Sequence, residues 1–353
     1  MKALVTGATG IVGANLVRAL LRASHDVRVL VRPTSDLRAL AGLAIERCEG
    51  DVMRTAGLAD AAHGCDIVFH AAATFTYWGQ SFEDQKDLAV RGTRNIVTAA
   101  RTAGASRVVV TSSSVTLGSR ATPTVLEEAD EFDEPQAAAY TRSKLAQERA
   151  AFETGAALGI EVVAVCPTLV VGANDYRLSP SNAYIVNYLN DPLRSTFLGG
   201  CNIVSAEDVA AGHIIAGLHG VPGCRYAAGS DNLEWRQVHR IISELTGTFG
   251  PSVTLNHTAA YLAAAATEAS ARLTGTRPVV TRDEARMAGR FYWYSSERLA
   301  RLGYQPKSTR AALATAIAWL LGRSVLNDSV ASRLALEADV RDAKRRIDLE
   351  LVP

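Results

Sequence analysis

Gly7-Ala8-Thr9-Gly10-Ile11-Val12-Gly13 stands between a short apolar strand, Ala3-Leu4-Val5, and an amphipathic helix running from Ala14 to Leu21. Strand, glycine turn and helix in that order predict the opening of a βαβ unit that binds a dinucleotide. The glycines leave room where a phosphate must approach the backbone. The helix N-terminus offers N–H groups and the positive end of its dipole to a pyrophosphate. Gly13 is expected to let the helix lie close against its strand. The spacing is G-x-x-G-x-x-G. Contacts to the cofactor are expected from Gly7, Thr9, Gly10, Ile11, Val12 and Gly13.

The chain has 353 residues, 48% of them hydrophobic, enough for one large domain or two modest ones. A net charge of +1 and the lack of a basic run interleaved with aromatics exclude a nucleic-acid binder built on charge. The five cysteines, Cys48, Cys65, Cys166, Cys201 and Cys224, contain no C-x-x-C pair. They read as reduced core residues, with neither a disulfide framework nor a metal site expected. The first residues are consumed by the first strand, so no signal peptide is expected. No uninterrupted apolar run reaches membrane-spanning length. A cytoplasmic protein is the expectation.

The second strand, Val27 to Val31, runs into Arg32-Pro33-Thr34-Ser35. An NAD site usually places an acid there against the ribose hydroxyls. Arg32 with Thr34 and Ser35 suits a 2′-phosphate and favours NADP(H). NAD(H) stays possible, with Asp36 as the residue that could reach the ribose. Asp51 and Val52 follow a third strand; Asp51 either accepts from the adenine amine while Val52 packs the ring, or caps the next helix. A fourth strand, Asp66 to His70, ends in Ala71-Ala72-Ala73, small enough for close cofactor approach. His70 reads as a core histidine. Phe75, Tyr77 and Trp78 either line a substrate pocket or form a lid packed on the body. The strand Arg107 to Val110 ends in Thr111-Ser112-Ser113-Ser114. Tyr140 and Lys144 share one face of a later helix.

T-G-A-T-G-I-V-G at 6–13, the serines at 112–114 and Tyr140-x-x-x-Lys144 together resemble the extended short-chain dehydrogenase/reductase family. The resemblance covers residues 1 to about 322. Within the family, V-R-P-T-S at 31–35 and T-S-S at 111–113 look like the dihydroflavonol-reductase and cinnamoyl-CoA-reductase types. Pro180 to Asp208 and Leu273 to Trp319 look more like the hopanoid-associated epimerase/dehydrogenase branch, with 3β-hydroxysteroid dehydrogenases nearby. The implied chemistry moves a hydride between the nicotinamide and a carbinol carbon. Tyr140 is the implied acid/base. Phenol ordinarily titrates near 10, and Lys144 is expected to lower it and to hold the nicotinamide ribose. Family spacing selects Ser113 to polarise the substrate oxygen, with Ser114 as fallback and substrate contact. Thr111, Pro167, Leu169 and Val170 are implied cofactor contacts, the last three around the nicotinamide carboxamide.

The expected fold is α/β, a doubly wound parallel (Rossmann) sheet with a smaller C-terminal substrate-binding region. Residues 1–172 form the dinucleotide domain, to which 201–230 return. Residues 173–200 and 231–322 form the substrate region, with Asn174, Tyr176, Tyr184 and Tyr188 as pocket candidates. Residues 323–353 form a charged helical extension that packs on a partner subunit or stands in solvent. Asp208 is expected to cap or orient its helix. Two departures from the family stand out. Ala89 takes the place of the asparagine in N-x-x-G-T, which leaves the proton path open. A nucleotide-sugar enzyme would place an arginine near Ile203, and only Arg194 lies upstream. The resulting expectation is an NADP(H)-dependent reductase or dehydrogenase of an apolar or aromatic small molecule. Its rivals are an NDP-sugar 4-epimerase with tightly held NAD, an NAD-linked 3β-hydroxysteroid dehydrogenase, and a redox-sensing binding protein. A homodimer is implied by the resemblance alone.

Overall fold

The computed structural model describes residues 1–72, 82–134, 137–276, 278 and 280–350. Short Val-, Ala- and Leu-rich runs bury both faces, which is what a parallel sheet covered by helices requires. Seven strands line up in the order Arg225–Ala228, Glu161–Pro167, Arg107–Thr111, Ile67–His70, Lys2–Thr6, Asp26–Val31, Glu46–Glu49, all parallel. The chain starts in the middle and winds outward twice. The order reverses beside Lys2–Thr6, and the crevice at the carboxyl ends of the strands lies there.

The helix Ile11–Arg22 packs on Ala206–His219 on one face. Phe82–Thr102 packs on Ala139–Leu158 on the other. Phe69, Val109, Val163 and Tyr226 belong to the core under the first pair; Val68, Val108 and Ile96 belong to the core under the second.

A second sheet lies in the order Asp231–Glu234, Gly200–Ser205, Phe291–Tyr294, Val125–Leu126, with Leu169–Val171 also on Gly200–Ser205. This corrects the expected return at residue 201. Gly200–Ser205 stays in the second sheet, and the chain rejoins the first only with the helix from Ala206. Every residue of Gly200–Ser205 is buried, so periodicity could not show which sheet it serves. Ser205, not Asp208, caps that helix: its hydroxyl oxygen accepts from the Asp208 N–H at 3.0 Å and its O–H donates to the Asp208 carboxylate. Asp208 also accepts from the Lys307 backbone N–H at 3.0 Å, tying the helix to the C-terminal region.

The extension beyond residue 322 also departs from expectation. Its helix runs Ala338–Glu350 and packs on Thr309–Leu321 of the same chain, with Val340 and Ala343 buried. Arg310 joins it by ion pairs to Asp339 and Glu244, each 2.9 Å. At Gly247 an added Cβ would fall 2.5 Å from the Ala335 carbonyl oxygen, so the extension is pressed against the body.

Candidate active site

The glycine loop shows why each glycine is there. Gly7 has φ +71° and lies so close to Ala71 and Ala72 that a Cβ would come within 2.5 Å of their backbone. A Cβ on Gly13 would sit 2.3 Å from the Gly7 carbonyl oxygen, so its task is to close the loop on itself. Gly10 is different. Among the described residues, a Cβ there would meet only the Gly7 carbonyl oxygen, at 3.5 Å, and would fill the space over the helix. Gly10 is the N-cap of Ile11–Arg22 and provides no side-chain acceptor to its first turn. A bare first turn beneath an open glycine fits a pyrophosphate.

A strap after Val171 crosses this loop. The Asn15 side-chain amide donates to the Ala173 carbonyl at 3.0 Å, and that of Asn174 to the Asn15 side-chain oxygen at 3.1 Å. Arg177 then donates to the Thr9 hydroxyl at 2.7 Å. Asn174, expected in a pocket, is thus a buried tether. Val170 packs with Ile11 and Val12.

At the adenosine end, Arg32 is exposed just past the second strand, its backbone N–H donating to the Ser35 hydroxyl at 3.2 Å. Asp36 is clasped by Arg38, Nε to Oδ1 at 3.0 Å and Nη2 to Oδ2 at 2.6 Å, which holds its carboxyl at about 2. Arg38, which the sequence reading passed over, therefore occupies the acid that would have met an NAD ribose. Asp51 takes the Met53 N–H at 2.9 Å in a turn. The next helix begins at Leu58, so Asp51 does not cap it. Val52 is half-buried and its carbonyl accepts from Asn95 at 2.8 Å. Ala71 and Ala72 donate to Thr6, at its carbonyl (3.2 Å) and hydroxyl (3.4 Å). Ala73, Phe75, Tyr77 and Trp78 lie outside the described residues.

The three serines take three different partners. Ser112 donates to Glu148 at 2.6 Å, and Ser114 faces the Tyr294 phenol, which donates to the Gly118 carbonyl at 2.8 Å. Ser113 faces the Tyr140 phenol. Tyr140 and Lys144 lie on the buried face of Ala139–Leu158. Lys144 Nζ donates to the Thr111 carbonyl at 3.0 Å and to Gln147 Oε1 at 2.7 Å. Burial pushes the Tyr140 phenol up to about 12; Ser113, not Lys144, supplies the lowering contribution. That departs from expectation, and desolvation is the reason: it also draws Lys144 down to about 8. Glu148, another residue the reading missed, is buried and gathers Ser112, Thr116 (3.2 Å) and Arg225 (3.4 Å). Its place four residues after Lys144 on one helix was the available signal.

Pro167 ends the strand before the second sheet and Leu169 begins the next. Tyr176 sits edge-on to Trp319 and carries the Arg323 guanidinium over its ring at 4.4 Å. With Arg38 it lines an open cavity of about 350 Å³. Tyr184 hydrogen-bonds His239 and stacks near Trp235 and Phe197. Tyr188 stacks on the same histidine at 4.2 Å and bonds Ser243 at 2.7 Å. The structure therefore brings Ser113, Tyr140, Lys144 and Thr111 together and places Tyr176, Tyr184 and Tyr188 in other clusters. All five cysteines are free, and no metal-holding cluster occurs among the described residues. No helix among them is long and apolar enough to cross a membrane.

A parallel sheet with a phosphate-ready glycine loop and a serine–tyrosine–lysine site defines a nicotinamide-dependent oxidoreductase of the extended short-chain kind, acting on CH–OH groups. The family model described as NAD dependent epimerase/dehydratase matches residues 3–229, and the chain belongs to that family. It is 33% identical over 321 residues to a Synechocystis protein bearing the provisional name dihydroflavonol 4-reductase, covering 89% of this chain and 93% of that one. It is 32% identical over 338 residues to sterol demethylase protein B of Methylococcus capsulatus, covering 92% and 100%. The crystal structure of gox2253 superposes with a TM-score of 0.81 at 33% identity, covering 92% of this chain and 99% of that one.

Proposed function

We propose that this chain is an NADP(H)-dependent oxidoreductase that interconverts a ketone or aldehyde and an alcohol on an apolar or aromatic small molecule, of steroid, terpenoid, polyketide or flavonoid type. The observation that carries the reading is the Ser113 hydroxyl facing the buried Tyr140 phenol, with Lys144 one turn further along the same buried helix face. Tyr140 exchanges the proton at the substrate oxygen, Ser113 polarises that oxygen, and Lys144 holds the ribose and keeps positive charge beside the phenol. The bound nicotinamide supplies or takes the hydride. The first turn of Ile11–Arg22 would hold its pyrophosphate, with Thr9 and Arg177 at the mouth.

The cofactor choice rests on Arg32 and on Arg38, which neutralises Asp36. The substrate class is supported by what the two relatives are named for, a dihydroflavonol and a sterol. It is supported also by Arg194, the arginine that lies nearest upstream of Ile203. That guanidinium is buried, donates to the Tyr188 carbonyl at 2.6 Å and lies 5.4 Å from the Tyr188 and Phe249 ring centres. The sterol-named relative, matched along its whole length, favours a second reading, an NAD-linked 3β-hydroxysteroid dehydrogenase.

The test is oxidation of NADPH and NADH, followed by absorbance, against a panel of steroid, flavanonol and aliphatic ketones and nucleotide sugars. Turnover of a ketone with NADPH preferred supports the proposal. Turnover with NADH alone favours the sterol dehydrogenase. Conversion of a nucleotide sugar without net loss of cofactor contradicts both. Light scattering tests the homodimer that the resemblance implies.

A further inference from the structure

Behind Lys144 runs a buried line of neutral side chains. Lys144 donates to Gln147 Oε1 at 2.7 Å, and Gln147 Nε2 donates to Thr93 Oγ1 at 3.0 Å. Thr93 Oγ1 lies 3.1 Å from His70 Nε2, and His70 Nδ1 lies 2.8 Å from Thr6 Oγ1. The five residues are 4%, 1%, 0%, 1% and 0% exposed. The line runs from the catalytic helix, through Phe82–Thr102, to the ends of the two strands that floor the glycine loop.

Its direction follows from the inventory of donors. An ammonium has no acceptor, so it fixes the Gln147 amide with the oxygen toward Lys144. The amide N–H then faces Thr93, whose own proton must go to His70 Nε2. His70 therefore carries its hydrogen on Nδ1 and gives it to Thr6. Burial holds the ring neutral, down to about 3. The line also passes the stretch where the family's N-x-x-G-T asparagine is replaced by Ala89, and Thr93 is the threonine of that stretch.

We propose that Gln147, backed by Thr93 and His70, is a positioning residue that holds the Lys144 ammonium through a neutral acceptor, so that its charge stays available to Tyr140. The proposal rests on the reading of Tyr140 and Lys144 as the acid/base pair. An amide oxygen satisfies one N–H without cancelling the charge, and the Thr111 carbonyl satisfies a second in the same way. A carboxylate at 147 would cancel it. Among the described residues, the ionisable groups around Lys144 are Tyr140 on the same helix face, His70, Cys166 and Glu148, and Glu148 is shared with Arg225. Gln147 thus determines whether a second carboxylate joins Glu148 beside the lysine.

The test uses the full-length protein, with ¹⁵N-histidine NMR and pH–rate profiles on Gln147→Glu and Gln147→Met. The His70 signals are assigned by their loss in His70→Gln. The wild type is expected to show His70 protonated on Nδ1. In Gln147→Glu the carboxylate accepts from both Lys144 and Thr93, so His70 must donate from Nε2 and the tautomer inverts. The pH–rate limb belonging to Tyr140 should move upward by about one unit, the lower end of what a neighbouring charge does to a pKa. Gln147→Met should lower kcat at least tenfold with substrate KM unchanged. A wild-type Nε2–H tautomer overturns the chain. An inverted tautomer with an unmoved pH profile leaves the chain as packing and overturns the positioning role. Tyr140→Phe, run alongside, separates that result from failure of the acid/base reading: if it keeps turnover, the pair itself is wrong.

Discussion

Arg177 Nη2 stands 2.7 Å from the Thr9 hydroxyl oxygen, joining the strap after Val171 to the glycine loop. A cation held at that mouth is placed to meet a pyrophosphate that both nicotinamide cofactors share. Arg177→Ala should weaken NADPH and NADH alike, by about 1.5–3 kcal/mol, the range for hydrogen bonds to charged groups. Fluorescence titration with both cofactors measures it. Unchanged affinity would make the arginine a loop brace only.

Arg32 and Arg38 should act differently. They lie where a 2′-phosphate distinguishes the two cofactors. Arg32→Ala should weaken NADPH by about 1.5–3 kcal/mol and spare NADH. Equal losses for both cofactors would remove the phosphate role.

Three buried histidines set an acid limit to stability. His70, His213 and His239 are drawn down to about 3, 4 and 3, chiefly by burial. Unfolded histidine titrates near 6.5. Below that pH the unfolded chain binds protons that the native state refuses, so stability falls as pH drops from about 6.5 toward 4. Each histidine contributes a slope of up to about 1.4 kcal/mol per pH unit. Thermal melting across this range checks the effect, and His213→Asn should flatten the slope. His213 bonds Thr111 Oγ1 at 2.8 Å and the Val209 carbonyl at 2.8 Å, so some stability at neutral pH should be lost as well.

The C-terminal helix should matter to folding. Val340 is fully buried against the body of the chain. Val340→Ala removes two methyl groups and should cost about 2 kcal/mol, from roughly 0.8 kcal/mol per group plus a cavity term. Val340→Asp should cost more, since it buries an unpaired charge. Denaturant unfolding measures both, and neutral outcomes would mean that the helix only rests on the surface.

Much of this architecture was legible because local signals agreed. Apolar runs of strand length alternate with helical periodicity, and the glycine loop and the Tyr140–Lys144 spacing each sit at a junction between elements. What stayed hidden depended on neighbours distant in sequence. Gly200–Ser205 is buried throughout, so nothing in its pattern revealed which sheet it joins. The serine cluster looks uniform until the fold sets Ser112 on Glu148, Ser113 before Tyr140 and Ser114 before Tyr294. Asp36 read as a ribose partner because its clasp by Arg38 is a matter of rotamers. Gln147 lies three residues beyond Lys144, but its value comes from Thr93 and His70, 54 and 77 residues earlier. The charged face of Ala338–Glu350 masked the buried Val340 and Ala343 beneath it.

The central claim is that the Tyr140 phenol handles the proton while hydride moves to or from the nicotinamide. Tyr140→Phe tests it most directly, because it removes one hydroxyl from a buried ring that stays in place. Turnover should fall by at least a hundredfold, in the range a positioned acid/base contributes, while NADPH affinity and melting temperature stay near those of the wild type. A Phe variant that retains wild-type kcat with the same ketone would contradict the account.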